Sequence, residues 1–303
     1  MTTAPALRAA LLGCTALLAA LPAGASAQPP PVQPSEAQIE RGAYLFKAAG
    51  CAVCHTDTEH NGPALGGGRA LKTDFGTFYT PNISPDPKHG IGAWSDADFL
   101  KALRKGVSPD GDDYYPVFPY TAFTQLSDAD ILDIKAYLFS QAPVPVANRD
   151  HDLNFPFSFR LTLIPWKILY FREGVFQADP KRPIDWNRGA YLANAVVHCG
   201  ECHTPRNALG AQVKSRRFAG VVDGPDGLNA PDITPHPAAL GSWSTEDIET
   251  LLKDGITPDG DFVGRGMRDV VADTATLSDT DRYAIAVYLK ALPALPPPPK
   301  PAK

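Results

Sequence analysis

The chain carries one long passage twice. Arg41-Gly-Ala-Tyr-Leu45 returns as Arg188-Gly-Ala-Tyr-Leu192, and Asn82-Ile-Ser-Pro85 as Asp232-Ile-Thr-Pro235. Gly92-Ala-Trp94-Ser95 matches Gly241-Ser-Trp243-Ser244, Pro109-Asp-Gly-Asp112 matches Pro258-Asp-Gly-Asp261, and Leu126-Ser-Asp128 matches Leu277-Ser-Asp279. The offset stays near 149 residues. That period is too long for a solenoid, so it reads as duplication of a whole folding unit. Each copy holds one Cys-x-x-Cys-His: Cys51-Ala-Val-Cys54-His55 and Cys199-Gly-Glu-Cys202-His203.

A bare Cys-x-x-Cys also suits a thiol redox pair or half a zinc site. The histidine that follows it in both copies points instead to covalent haem c. The cysteines add to the porphyrin vinyl groups as thioethers, and the histidine binds iron. The expected cofactors are two haems c, attached through Cys51 and Cys54 and through Cys199 and Cys202, with His55 and His203 as proximal ligands. The second axial ligand of such an iron is often methionine, which raises the reduction potential. Beyond Met1 the chain has a single methionine, Met267. Across the repeat, Met267 falls opposite Phe118, each at the place where a distal loop would cross its haem. Met267 is therefore expected on the iron of haem 2. Phenylalanine cannot bind iron, so haem 1 is expected to be five-coordinate or to use another ligand, at the lower potential. Tyr114, Tyr115, Tyr120, His60, His89 and His151 stay open as its sixth ligand. Trp94 and Trp243 read as core or haem-edge packing, and His198 as local packing.

Helices are expected over 37–50 and 187–198, each feeding a haem motif. Four further helix starts carry a serine followed three residues later by an acid: Ser95 and Asp98, Ser127 and Asp130, Ser244 and Asp247, Ser278 and Asp281. The runs they open have helical spacing, as in Ile131, Ile134 and Leu138. Nothing alternates as strand. The expectation is an all-α chain of two tandem class I cytochrome c domains, 37–143 and 187–293. An aromatic-rich connector, 144–186, would join them. Its centre runs from Phe155-Pro-Phe-Ser-Phe159 to Trp166-Lys-Ile-Leu-Tyr-Phe171 and would pack into the interface or form an exposed docking surface. Proline-rich tails are expected at 28–36 and 294–303.

Residues 1–27 read as a secretory signal: Arg8, the apolar run Leu11–Leu21, and Ala25-Ser-Ala27 before Gln28. Leu11-Leu-Gly-Cys14 resembles a lipobox, but the apolar run continues past Cys14. An uncleaved N-terminal anchor is the other alternative. Cys14 would leave with the signal, and the other four cysteines all sit in the haem motifs. The net charge of −5, made more negative by haem propionates, argues against a nucleic-acid role.

Gly-Ala-Tyr-Leu before Cys-x-x-Cys-His-Thr, Asn82-Ile-Ser-Pro-Asp86, Gly90-Ile-Gly-Ala-Trp-Ser95 and Tyr115-Pro-Val-Phe-Pro-Tyr120 resemble a known family over residues 37–293. It is that of the multihaem cytochrome c subunits of membrane-associated periplasmic alcohol, gluconate and aldehyde dehydrogenases. Those subunits commonly carry three haems and many have methionine where Phe118 stands, so the chain departs from the pattern twice. The resemblance implies a non-catalytic electron-transfer protein of the periplasm, at the outer face of the inner membrane and peripherally associated with it. A partner dehydrogenase would be the donor, and quinone, an oxidase or a small redox protein the acceptor on the way into the respiratory chain. The alternative is a dihaem enzyme that binds a small oxidant or sulfur compound at a weakly ligated haem 1.

Overall fold

Serine caps start five of the described helices. In the computed structural model, which describes residue 2 and residues 33–296 except 223, 225, 226 and 228, the helices of the first half are α1 (Glu36–Ala48), α2 (Cys51–His55), α3 (Asp96–Lys105), α4 (Tyr120–Phe123) and α5 (Asp128–Phe139). After them come α6 (Leu163–Tyr170), α7 (Ile184–Tyr191), α8 (Gly200–His203), α9 (Thr245–Asp254), α10 (Arg265–Thr274) and α11 (Asp279–Lys290). Ser35, Ser95 and Ser244 close full capping boxes at α1, α3 and α9. Each such cap is worth about 1 kcal/mol. The expected secretory signal, Thr2 apart, lies outside the described residues, as do 28–32 and 297–303 of the proline-rich tails.

The expectation of an all-α chain of two tandem class I cytochrome c domains is corrected on both counts. The chain contains an antiparallel sheet of β1 (Ala70–Thr73), β2 (Gly76–Tyr79) and β3 (Asp152–Leu153). A two-residue turn, Asp74-Phe75, joins β1 to β2, and Thr77, Phe78 and Tyr79 are strong strand formers. The third strand comes from the connector, so no local pattern announces it. Phe78 points into a small cluster with Tyr115 and Leu163. Nor do the repeats fold as separate domains: the described residues from Pro34 onward form one compact unit. One apolar core runs through both halves, from Leu45, Phe46 and Leu138 to Leu192, Val196 and Ile285.

In each half, a helix before the haem motif crosses a helix near the half's end: α1 on α5, α7 on α11. The crossing is so close that a Cβ on Gly42 would stand 1.8 Å from the Asp133 carbonyl oxygen, and one on Gly189 1.8 Å from that of Ala284. Only hydrogen fits at either place. The second copy spends one extra residue between its arginine and its first cysteine (Arg188 to Cys199 against Arg41 to Cys51). A π-helical segment, Leu192–Val196, absorbs it, and the Val197 N–H reaches back five residues to the Leu192 carbonyl. Both the glycine crossing and the cysteine thereby keep their places.

The halves are locked by an exchange. The Tyr44 hydroxyl donates to Asp281 at 2.6 Å and accepts the Ser278 N–H at 3.1 Å. Its counterpart Tyr191 donates to Asp130 and accepts the Ser127 N–H at 3.1 Å. Each tyrosine thus enters the helix start of the other half. Ser127 and Ser278 still cap Asp130 and Asp281 from their hydroxyls, but the acids turn to the tyrosines and the boxes stay open. A hydrogen bond to a charged group contributes about 1.5–3 kcal/mol, more than a box closure gives up.

Gly42→Ala should destabilise the fold by about 3 kcal/mol through overpacking, lowering Tm by roughly 6–12 °C. Thermal melts followed by far-ultraviolet circular dichroism measure this, and an unchanged Tm would show that α1 and α5 do not cross as described.

Candidate haem sites

Both Cys-x-x-Cys-His motifs lie on one-turn helices at the end of a longer one. Gly50, in the left-handed region, links α1 to α2. His198 holds the same left-handed conformation (φ 46°) before Cys199 and α8. None of the four motif cysteines is paired in a disulfide.

Each histidine is held from two sides. His55 Nδ1 lies 2.7 Å from the Pro81 carbonyl, and His203 Nδ1 lies 2.7 Å from that of Pro231. The Gly67 N–H donates to the His55 carbonyl at 3.0 Å and the Gly220 N–H to that of His203 at 2.9 Å. Gly67 and Gly220 have positive φ, and a Cβ on either would meet the Pro81 or Pro231 backbone at 2.5 to 2.8 Å. The bond at Nδ1 fixes the proton there, so Nε2 carries the lone pair that a metal needs. Burial lowers the pKa of both rings, which favours the neutral, ligating form. Sequence reasoning missed Pro81, Pro231 and the two glycines. The repeat aligned the blocks beginning at Asn82 and Asp232, but a backbone acceptor leaves no mark in side-chain chemistry.

The cysteines fit thioether attachment better than the rival uses. Burial above all pushes the Cys51 and Cys199 thiols up to about 12, whereas a reactive dithiol needs a lowered pKa. No group of three or more His, Cys, Asp or Glu converges on a metal-sized position among the described residues. Donors for a haem's carboxylates are present as well. The Tyr120 hydroxyl and Arg217 Nε are buried without a protein partner, and buried polar groups are ordinarily paired.

Where the repeat places the expected sixth ligand, the halves differ. Met267 sits half-buried in the first turn of α10, packed on the shared core. Phe118 lies just before α4 inside an aromatic cage, with ring centroids 5.7 Å from Tyr114, 5.8 Å from Phe123 and 6.4 Å from Tyr120. Three of the open candidates are engaged elsewhere. His60 is exposed and bonded to Asp57. His151 accepts the Tyr79 N–H and packs edge-on against Phe78. The Tyr115 hydroxyl donates to the Phe157 carbonyl. His89 faces Asp86 at 3.4 Å. Tyr114 and Tyr120 stand beside Phe118, and burial raises both phenols, Tyr114 to about 12.

The two motifs meet. His198 Nε2 lies 3.2 Å from the Ala49 carbonyl, and its ring stacks edge-on against Phe123 of the first half. Each distal helix also touches the opposite motif: Thr121 of α4 donates to Glu201 at 3.1 Å, and Asp273 of α10 faces Gly50 and Cys51. Trp94 and Trp243 pack on the shared core.

Residues 39–142 match the cytochrome c family. A diheme cytochrome c-type protein of Cereibacter sphaeroides is 47% identical over 262 residues, covering 85% of this chain and 87% of that protein. A nicotinate dehydrogenase subunit of Pseudomonas putida is 41% identical over 85% of this chain, and the fructose dehydrogenase cytochrome subunit of Gluconobacter japonicus 40% identical over 88%. The chain spans 22% and 55% of the lengths of those two relatives.

Burial, reinforced by Asp269 and opposed by Lys47, raises the Asp273 carboxyl from 3.8 to about 6. The folded chain therefore holds this proton more tightly than the unfolded one. Stability should fall as pH rises from about 4 to about 6 and stay lowered above. Asp273→Asn should remove that slope and gain about 1 kcal/mol at pH 7, allowing for partial solvent screening. Melts at pH 4 and pH 7 test it: a gain confined to pH 7 is expected, and equal shifts at both would contradict the assignment.

Proposed function

This chain belongs to the cytochrome c family, and from that premise we propose a periplasmic dihaem carrier that passes electrons from a partner dehydrogenase toward the respiratory chain. Two haems c would be attached at Cys51 and Cys54 and at Cys199 and Cys202. Haem c supplies one-electron chemistry between ferric and ferrous iron, while the protein sets ligands, burial and orientation. His55 and His203, oriented through Pro81 and Pro231, would be the proximal ligands, and Met267 the distal ligand at the second site. The first site has Phe118 there and no methionine. The Tyr120 hydroxyl and Arg217 Nε are buried donors suited to propionates.

The observation that carries this reading is the junction of the motifs. A carrier must hand charge from one centre to the other inside one rigid body. His198 beside Cys199 reaches the Ala49 carbonyl, two residues before Cys51. A thioether ligand raises the potential, so electrons enter at the first site and leave from the second. The dehydrogenase partner follows from the names of the relatives, nicotinate and fructose dehydrogenases among them. Quinone, an oxidase or a small redox protein would accept the electrons. The signal-like residues 1–27 support a periplasmic position at the outer face of the inner membrane.

Low-temperature electron paramagnetic resonance and near-infrared magnetic circular dichroism on the wild type and Met267→Ala test the ligand sets. The wild type should show methionine–iron charge transfer at one of two haems, and the variant none, with both haems retained. An unchanged methionine signal would refute the assignment.

A further inference from the structure

The connector turns an apolar face to solvent. In the segment from Arg160 to Tyr170, the outward apolar residues are Leu161, Ile164, Pro165, Ile168 and Leu169, one continuous stripe at helical spacing. Leu161, Ile168 and Leu169 are 75%, 68% and 61% exposed, and Phe155 and Phe159 extend the patch at 81% and 57%. This is the reverse of an ordinary surface helix, whose apolar stripe turns inward.

The helix is not free to roll over. On its inner side Leu163 is buried in the cluster with Phe78 and Tyr115. Lys167 donates to the Lys105 carbonyl at 2.7 Å and to Asp113 at 2.6 Å. Trp166 Nε1 donates to the Leu209 carbonyl of the second half at 2.8 Å. Anchored to both halves, α6 presents its outer stripe as a fixed surface.

The charges around the patch select its occupant. From Leu153 to Arg172 there are three cations, Arg160, Lys167 and Arg172, and no acid, in a chain of net charge −5. Lys167 is used internally. Arg160 and Arg172 are exposed and hydrogen-bond to backbone carbonyls, of Asp113 and of Ile168 and Phe171, and the Arg160 guanidinium also lies over the Tyr115 ring at 5.0 Å. Neither pairs with a carboxylate among the described residues. The acids that flank this stretch in sequence are Asp152, exposed on β3, and Glu173, which faces Lys105 at 4.0 Å. Aliphatic and aromatic side chains rimmed by unneutralised arginines, with Trp166 and Tyr170 at their edge, match the interface of an anionic bilayer. No helix among the described residues is long and apolar enough to cross one.

We propose that the outer face of α6, with Phe155, Phe159, Arg160 and Arg172, docks the protein onto the surface of an anionic phospholipid bilayer. The apolar stripe enters the headgroup boundary and the two guanidinium groups bind lipid phosphates. Docking in this way places the motif junction at a fixed height above the membrane. The inference rests on the periplasmic placement proposed above. Its test reads lipid binding alone, so its failure would leave the ligand assignments standing.

Flotation of the holoprotein with vesicles of phosphatidylethanolamine and phosphatidylglycerol, and with phosphatidylcholine alone, tests it. The wild type is compared with Ile168→Glu/Leu169→Glu and with the uncharged pair Leu161→Ser/Ile164→Ser, all with the same N-terminus. The wild type should float with anionic vesicles and less with neutral ones. Both variants should bind at least about tenfold more weakly, with unchanged haem spectra and Tm. The uncharged pair keeps the test decisive if the acidic pair misfolds. Wild type that does not float, or variants that float equally, would overturn the proposal. So would variants that keep vesicle binding but lose a copurifying catalytic subunit, which would assign the face to a protein.

Discussion

Two tyrosine hydroxyls, exchanged between the halves of a duplicated chain, hold this structure in register. Tyr44 and Tyr191 leave identical Arg-Gly-Ala-Tyr-Leu blocks and bond to Asp281 and Asp130 at the opposite helix starts. Burial works against ionised Asp281, but bonds from Arg188 at 2.7 Å and from Tyr44 outweigh it and hold its pKa below the usual carboxylate range. The contact is therefore charge-assisted and not merely polar. Because each tyrosine sits about two turns before its own haem motif, the bonds that join the halves also fix the distance between the motifs.

Function follows from that geometry. The left-handed residue before each first cysteine, Gly50 or His198, sits where the halves touch, and His198 spans the gap to the Ala49 carbonyl. Each distal helix leans on the other half's attachment loop. On the proposed reading the two sites are thus neighbours, while their distal residues, Met267 and Phe118, differ. On that reading, proximity would give fast exchange and unequal ligation would give direction.

Much of this was legible in the sequence. The Cys-x-x-Cys-His motifs and the serine caps are local patterns whose chemistry is written in residue type. The junction was not. Ser127 with Asp130 and Ser278 with Asp281 read as capping boxes, and nothing local reveals that a tyrosine from the other half takes the acid. Pro81 and Pro231 act through backbone oxygens. The third strand is supplied from the connector, far along the chain from the hairpin it joins, which is why the sheet escaped an all-α reading. Separate domains were expected because the repeat is so regular. Regularity of sequence gave each half the same surface, however, and matching surfaces made one shared core.

On the proposed reading, one interlocked unit holds two unequal haem sites. Its most direct test is a potentiometric titration of the holoprotein, followed in the visible spectrum. Two one-electron waves of equal amplitude are predicted, separated by more than about 59 mV, a tenfold difference in equilibrium constant. A single wave in which both haems titrate at one potential would contradict it.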